Sequence, residues 1–334
     1  MDIGVCLFNG LQHPDDDRPL TAVYSDMTDL VATADDVGLD SAWVSAHHFT
    51  PEGYMSGLLP TLGAFAEATE NITLGTSMLL APLHDAIRVA EDAATVSLLS
   101  DGRLVLGMTN GYRDEEFKQF GVDKDDRALK TEEAVRIARG AWSDGPLGFN
   151  PRFHPATPEA TVTPKPEDSP AITLGGTSKP AVRRAAMLAD AWTAPETLPF
   201  EEVVKRVKYQ RRLRKAEKLK GEFTTYVQRY CFVDESAESA WETFRDPVFY
   251  MQRKYDEYSA DEPIDELSAE RREHLKQQAI VGSPAEVIEQ LERYQERLGD
   301  TVHMLLRPYV PGLETSAIEQ SIERLGTEVA PALR

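Results

Sequence analysis

The sequence predicts a closed (β/α)8 TIM barrel with two excursions, and three observations lead there. The first is a strand–helix–strand crossover. Residues 72–78 form a β-branched run that reads as a buried strand, 88–99 carry apolar side chains at helical spacing, and 103–108 are a second strand. Such a crossover makes the two strands parallel neighbours. The second is number: eight strand-like runs, each followed by a helix, fill 334 residues. The third separates the barrel from a doubly wound sheet, which would carry a Gly-x-Gly-x-x-Gly turn after its first strand. The sequence has none there.

Taken in order, residues 3–8 are the first strand, ending at Asn9-Gly10. A helix over 21–37 turns Leu30, Val31, Ala34 and Val37 inward and closes at Gly38. Residues 41–45 form the second strand, which ends in Ala46-His47-His48-Phe49-Thr50. A helix over 58–69 leads into the crossover, whose own helix is stopped by Ser100-Asp101-Gly102. The second crossover strand runs into Thr109-Asn110-Gly111-Tyr112-Arg113-Asp114, and a helix follows over 128–142. Residues 145–170 are rich in proline and turn formers and read as an excursion, with short Thr/Val runs suited to a hairpin. The strand at 171–174 ends in Gly175-Gly176-Thr177-Ser178, and Pro180 opens the next helix. Strands at 191–193, 224–233 and 302–306 alternate with helices at 200–219, 283–298 and 313–325. Residues 244–278, charged and helical in pattern, form the second excursion of what reads as one barrel domain, 1–334.

The 36 basic residues stand against 56 acidic ones, a net charge of −20. A field of that sign repels nucleic acid and anionic membrane, so neither is an expected partner. The surplus is spread along the chain, as on proteins of salt-loving archaea, where concentrated salt screens self-repulsion. Cys6 and Cys231 sit in apolar strand-like runs and read as core thiols in a reducing cytoplasm. The chain enters its first strand without a signal-peptide pattern, and no apolar run is long enough to span a membrane. The expected location is cytoplasmic.

In a barrel every strand's C-terminal end opens on one face. Asn9-Gly10, His47-His48, Ser77-Met78, Thr109-Asn110-Gly111 and Gly175-Gly176-Thr177-Ser178 should therefore share one mouth. The diglycine before a helix can aim several N–H groups at one anion, which makes it a phosphate seat or simply a tight turn with an N-cap. Successive residues at a strand end point opposite ways, so one histidine of His47-His48 faces the pocket and the other packs on the wall. A strand-end histidine is also commonly a packed or solvated residue. No metal is expected, because no Cys–His spacing or His-Glu-x-x-His pattern completes a site, and no Gly-x-Ser-x-Gly elbow supports a nucleophile triad. Nine Lys or Arg residues between 205 and 220 form either a solvated face or an electrostatic guide for an anionic ligand.

In this order and spacing the motifs resemble the bacterial luciferase-like flavin-dependent oxidoreductases over essentially the full chain. The residues that carry the resemblance are Trp43-Val44-Ser45-Ala46-His47-His48-Phe49-Thr50, Leu80-Ala81-Pro82-Leu83-His84-Asp85 with its continuation to Asp92, and Leu99-Ser100-Asp101-Gly102-Arg103. Gly111-Tyr112-Arg113 leading to Glu116-Phe117, Phe120-Gly121-Val122-Asp123, Leu174-Gly175-Gly176-Thr177-Ser178 and Val281-Gly282-Ser283-Pro284 complete the set. The resemblance implies reduced FMN, or the deazaflavin F420, bound at the barrel mouth. It implies that His47 is the catalytic histidine near the reactive edge of the ring, and that Ser77-Met78 form a non-proline cis peptide beneath it. Gly175, Gly176, Thr177 and Ser178 would be the phosphate loop, and Thr109, Asn110 and Gly111 would complete the cofactor site. The implied activity is a monooxygenase that uses reduced FMN and O2 to oxidise a small organic substrate, with a separate flavin reductase as partner and a homodimer as assembly. An F420-dependent hydride-transfer oxidoreductase is the alternative, favoured by the archaeal character of the surface, and a non-catalytic flavin binder is a third.

Three departures from the family pattern bear on this. Asn110 stands where luciferase has a phosphate-binding arginine, so the neutralising charge must come from backbone donors or another cation, with Arg113 a candidate. Ala46 replaces a glutamate often found before the histidine pair, which removes an orienter of His47. Thr109 takes the place of luciferase's reactive cysteine, which argues against light emission. Substrate selectivity is expected in the two excursions.

Overall fold

The computed structural model describes residues 1–260 and 262–334; position 261, inside the second excursion, lies outside the described residues. The strands are β1 (Asp2–Phe8), β2 (Ser41–Val44), β3 (Thr73–Thr76), β4 (Leu79–Leu80), β5 (Leu104–Thr109), β6 (Ala171–Gly175), β7 (Ala191–Ala194), β8 (Thr224–Val233), β9 (Ile280–Gly282) and β10 (Val302–Arg307). Eight of them, β1, β2, β3, β5, β6, β7, β8 and β10, pair in parallel in that order, and β10 pairs back onto β1. The ring is closed, as the crossover pattern predicted, and β3 and β5 are indeed parallel neighbours. The near-continuous apolar runs follow from this closure, since a barrel strand is covered by helices outside and by side chains within.

Two short strands are additions to the expected eight. β4 pairs with β5. β9 pairs with the last residues of β8, which at ten residues overshoots the ring that its first part closes against β10. Helices Leu20–Asp36, Leu58–Ala68, Ala86–Leu99, Arg127–Trp142, Lys179–Leu188, Phe200–Ala216, Pro284–Leu298 and Thr315–Arg324 wrap the outside, close to their predicted bounds. Leu30, Val31 and Ala34 are buried in the layer between helices and strands as expected, whereas Val37 is only partly covered. Inside the ring, Trp43 packs so closely on Gly75 that a Cβ there would lie 2.1 Å from the indole, so only glycine fits.

The excursions differ from expectation. Residues 145–170 hold no strand and form no hairpin. Two backbone bonds bridge the segment, Leu147 N–H to the Ala160 carbonyl at 3.0 Å and Gly148 N–H to that of Pro158 at 2.9 Å. Prolines at 151, 155, 158, 164 and 166 remove the donors a ladder would need. The second excursion begins earlier than predicted, as one helix over Ala237–Ala260 with Pro247 inside it, followed by a helix over Ala269–Gln278. Phe244, Val248 and Leu275 pack with Tyr230 and Phe232 of β8, which fixes the two helices over the barrel mouth. Cys6 in β1 and Cys231 in β8 are free and buried.

Candidate active site

β2 delivers the histidine pair to the mouth, and the pair splits as strand alternation predicts. The His47 ring turns to a group of four tyrosines, Tyr54, Tyr112, Tyr255 and Tyr258, with ring centres 5.0 to 6.0 Å away. The His48 ring turns outward onto Phe120 and His84, at 4.9 and 5.8 Å. Burial lowers the proton affinity of His48, and it brings His84 from 6.5 to about 4, with the neighbouring His48 adding to the effect.

Glu116 organises this loop. Its Oε1 lies 3.0 Å from His47 Nδ1 and accepts the His48 backbone N–H, also at 3.0 Å. The side chain is fully buried. Burial opposes its charge, but the His47 hydrogen bond and charge and the His48 N–H outweigh it, and the carboxyl sits below its ordinary range. Ala46 offers His47 no orienter, and the carboxylate that takes that part comes instead from the helix Asp114–Phe120 after β5. The sequence reading gave no helix there. The available signal was the acidic run Asp114-Glu115-Glu116, which suits a helix N-terminus, followed by an apolar Phe117.

A cavity of about 310 Å³ lies between the barrel mouth and the second excursion. Of the residues singled out in the sequence, His47, Ser77, Met78 and Thr109 line it, and the Ser77–Met78 peptide is cis. Ser45, Glu196 and Gln228 join them from the barrel, with Gln228 donating to Ser77 Oγ at 2.8 Å. The roof is Gln252, Tyr255, Asp256, Ser259 and Arg271 of the second excursion. Asn110 and Gly111 stand outside this wall; a Cβ on Gly111 would lie 3.2 Å from the Phe117 ring.

The diglycine turn is a neighbour of the cavity and not part of its wall. A Cβ on Gly175 would lie 3.2 Å from Met78 Cγ, so the turn begins just behind Met78. Gly176 has φ +124° and a Cβ there would meet that of Ala181 at 2.7 Å, which excludes larger residues. Ser178 Oγ accepts the Ala181 N–H at 3.3 Å, so the N-cap reading holds for that hydroxyl. Thr177 is exposed, and Arg206 of the helix Phe200–Ala216 donates from Nε to the Thr177 carbonyl at 2.9 Å. Arg113, the cation expected at the phosphate, is engaged elsewhere. It donates to the carbonyls of His48 and Phe49 and lies 4.8 Å from the Tyr258 ring centre, where it braces the histidine loop. The rest of the basic helix is tied down in part: Lys205 pairs with Glu202, and Arg214 donates to the Ala186 carbonyl. Among the described residues no group of three or more His, Cys, Asp or Glu is placed to hold a metal, and no helix is long and apolar enough to cross a membrane.

The model of the luciferase-like monooxygenase family matches residues 1–301. The chain belongs to this family. Among luciferase-like relatives, the oxygenase component of a flavin-dependent trigonelline monooxygenase from Acinetobacter baylyi is 23% identical over 98% of this chain and 94% of its own. An F420-dependent glucose-6-phosphate dehydrogenase from Nakamurella multipartita is 29% identical, over 50% of this chain and 51% of its own. The chain thus spans about half the length of that dehydrogenase in the match. The solved structure of monooxygenase RslO1 from Streptomyces bottropensis superposes with a TM-score of 0.89 over 100% of both chains at 19% identity, which shows the shared luciferase-like barrel.

Proposed function

We propose that this chain is the oxygenase of a two-component system, using reduced FMN and O2 to oxidise a small organic substrate, with a separate reductase supplying the flavin. The observation that carries the reading is His47, held by Glu116 on the wall of a cavity it shares with Ser77, Met78 and Thr109. The end-to-end similarity to an oxygenase component supports it. The cradle fits the group: Gly175 packs directly behind Met78, and Gly176 after it admits no Cβ. Met78 and Ser77 would floor the ring, and the N–H groups of the diglycine turn would hold the phosphate, with Arg206, which also pairs with Glu202 at 2.9 Å, in place of Arg113 as its cation. Two free, buried thiols fit a reducing compartment such as the cytoplasm.

When bound, reduced FMN supplies the electrons that activate O2. The chain's own residues position and protect. Glu116 accepts the Nδ1 proton, which turns Nε2, 3.5 Å from the Tyr112 hydroxyl, to the cavity side as the atom that can exchange a proton. That atom can take a proton from a substrate group and return it. The tyrosines and the helical roof keep water from the reaction. The partial match to an F420-dependent dehydrogenase supports a second reading, in which the same His47 assists hydride transfer to deazaflavin. A non-catalytic flavin binder, a reading that rests on the departures at Ala46 and Asn110, is disfavoured by Glu116, which orients His47 in place of the missing glutamate. Fluorescence titration with FMN and with F420, followed by O2 uptake with supplied reduced FMN, separates these. FMN binding with O2 uptake is expected; tight binding of F420 alone would replace the first reading with the second.

A further inference from the structure

We propose that Ser45 is the hydroxyl through which the cavity wall donates a hydrogen bond to the bound cofactor ring, and that buried Arg307 fixes the direction of that donation. The inference rests on the flavin reading above. Arg307 ends β10 with its side chain wholly buried, and a guanidinium can only donate. Its Nη1 lies 3.0 Å from Glu196 Oε1 and 3.2 Å from the Tyr255 hydroxyl oxygen. Tyr255 is thereby an acceptor from Arg307, and its own proton must go elsewhere. The acceptor within reach, among the described residues, is the Tyr54 hydroxyl at 2.9 Å. Tyr54, which the Asn9 side chain also meets, lies 2.8 Å from Ser45 Oγ, and with Tyr255 donating to it its own proton is assigned to Ser45.

Either hydroxyl of the Tyr255–Tyr54 and Tyr54–Ser45 pairs can donate, and we assign the string the direction Arg307 to Tyr255 to Tyr54 to Ser45, because Arg307 cannot accept and each hydroxyl proton then meets the next oxygen. Burial holds both phenols above their ordinary range, so both stay protonated donors at neutral pH. Ser45 has accepted from Tyr54, and among the described residues its own proton has no acceptor. It is 4% exposed and lines the cavity two residues before His47, beside Ser77, whose N–H donates to the Val44 carbonyl at 2.7 Å. A buried hydroxyl proton without an acceptor is unfavourable, so the wall favours a ligand that presents a carbonyl oxygen or ring nitrogen there. A flavin and a deazaflavin ring both carry carbonyl oxygens and a ring-nitrogen acceptor on the pyrimidine side.

The test is a coupling measurement on the full chain, using FMN, or F420 if the wild type prefers it. Dissociation constants come from fluorescence, and the visible absorption band of the bound cofactor is recorded beside them. Ser45→Ala is expected to weaken binding about fivefold to tenfold and to shift the band. Tyr255→Phe is expected to weaken it less, and the double variant to bind no worse than Ser45→Ala, because Tyr255 acts through Ser45. Binding by Ser45→Ala within twofold of wild type, or additive losses in the double variant, would overturn the inference and leave the flavin reading intact. Should Ser45→Ala not fold, a loss and band shift in Tyr255→Phe support the inference, and wild-type behaviour there overturns it. A wild type that binds neither cofactor removes the flavin reading and this inference together.

Discussion

Two excursions leave the barrel, and they differ in what they reach. Residues 145–170 lie on its flank. Glu133 accepts the N–H groups of Arg152 and Phe153, His154 meets Asp85 at 2.9 Å, and Lys165 donates to the Ala141 carbonyl at 2.8 Å. None of its residues lines the cavity. The second excursion is laced to the site. Arg271 grips Asp256 with two bonds, of 2.9 and 3.1 Å, and so ties its two helices together over the cavity. Lys254 reaches Glu52 at 2.7 Å and Tyr255 reaches Tyr54, both in the loop that follows the histidines. The sequence reading gave both segments a part in selectivity; only the helical one meets the cavity. A proline-rich segment satisfies its backbone on what lies beneath it, whereas a pair of helices, satisfied internally, can span an opening and offer side chains on both sides.

The sharpest way to break this contrast is at the residue the roof covers. His47→Ala should lower O2-dependent turnover on the order of 10²–10⁴-fold while FMN affinity stays close to wild type. An affinity collapse with turnover per bound flavin intact would make His47 a binding residue only. Next in size is the roof clasp. Arg271→Ala should speed FMN release about tenfold in stopped-flow displacement, since it removes a charged two-bond link. An unchanged release rate would mean that the roof does not retain the cofactor.

A third expectation concerns His84, packed beside His48 at the rim. His84 falls from 6.5 to about 4 in the folded chain, where burial keeps it neutral. Above pH 6.5 both states leave it neutral and this contribution to stability is complete; between 6.5 and 4 the unfolded chain takes up the proton first, so stability falls with pH. His84→Asn should flatten the decline of melting temperature over that interval, and an identical decline would place its cause elsewhere, such as His303 of β10, which burial also brings from 6.5 to about 4. Smaller is the effect of Arg206→Ala, expected to weaken FMN up to about fivefold and leave riboflavin unchanged, because the lost partner is the phosphate of a partly exposed turn. Equal losses for both ligands would point to a structural role. Smallest is the flank: replacing 155–159 with Gly-Ser residues should leave FMN affinity and release within about twofold of wild type.

The fold was legible because each barrel strand carries its own apolar run and its own turn, so the eight units could be read one at a time. The hairpin failed where prolines outvoted two short Thr/Val runs. In the site, the split of His47 and His48 was readable from strand alternation alone. Glu116 was not, for it sits 69 positions from His47 on a seven-residue helix that buries little more than Phe117. Nor could sequence single out Arg206 among nine similar cations, because its role depends on how one helix seats against the turn after β6.

A crystal structure of the chain with FMN tests the central claim most directly. The expected result is a tricyclic ring between His47 and Met78 under Tyr255, with the phosphate against Gly176 and Thr177. A ring bound anywhere outside that wall would contradict it.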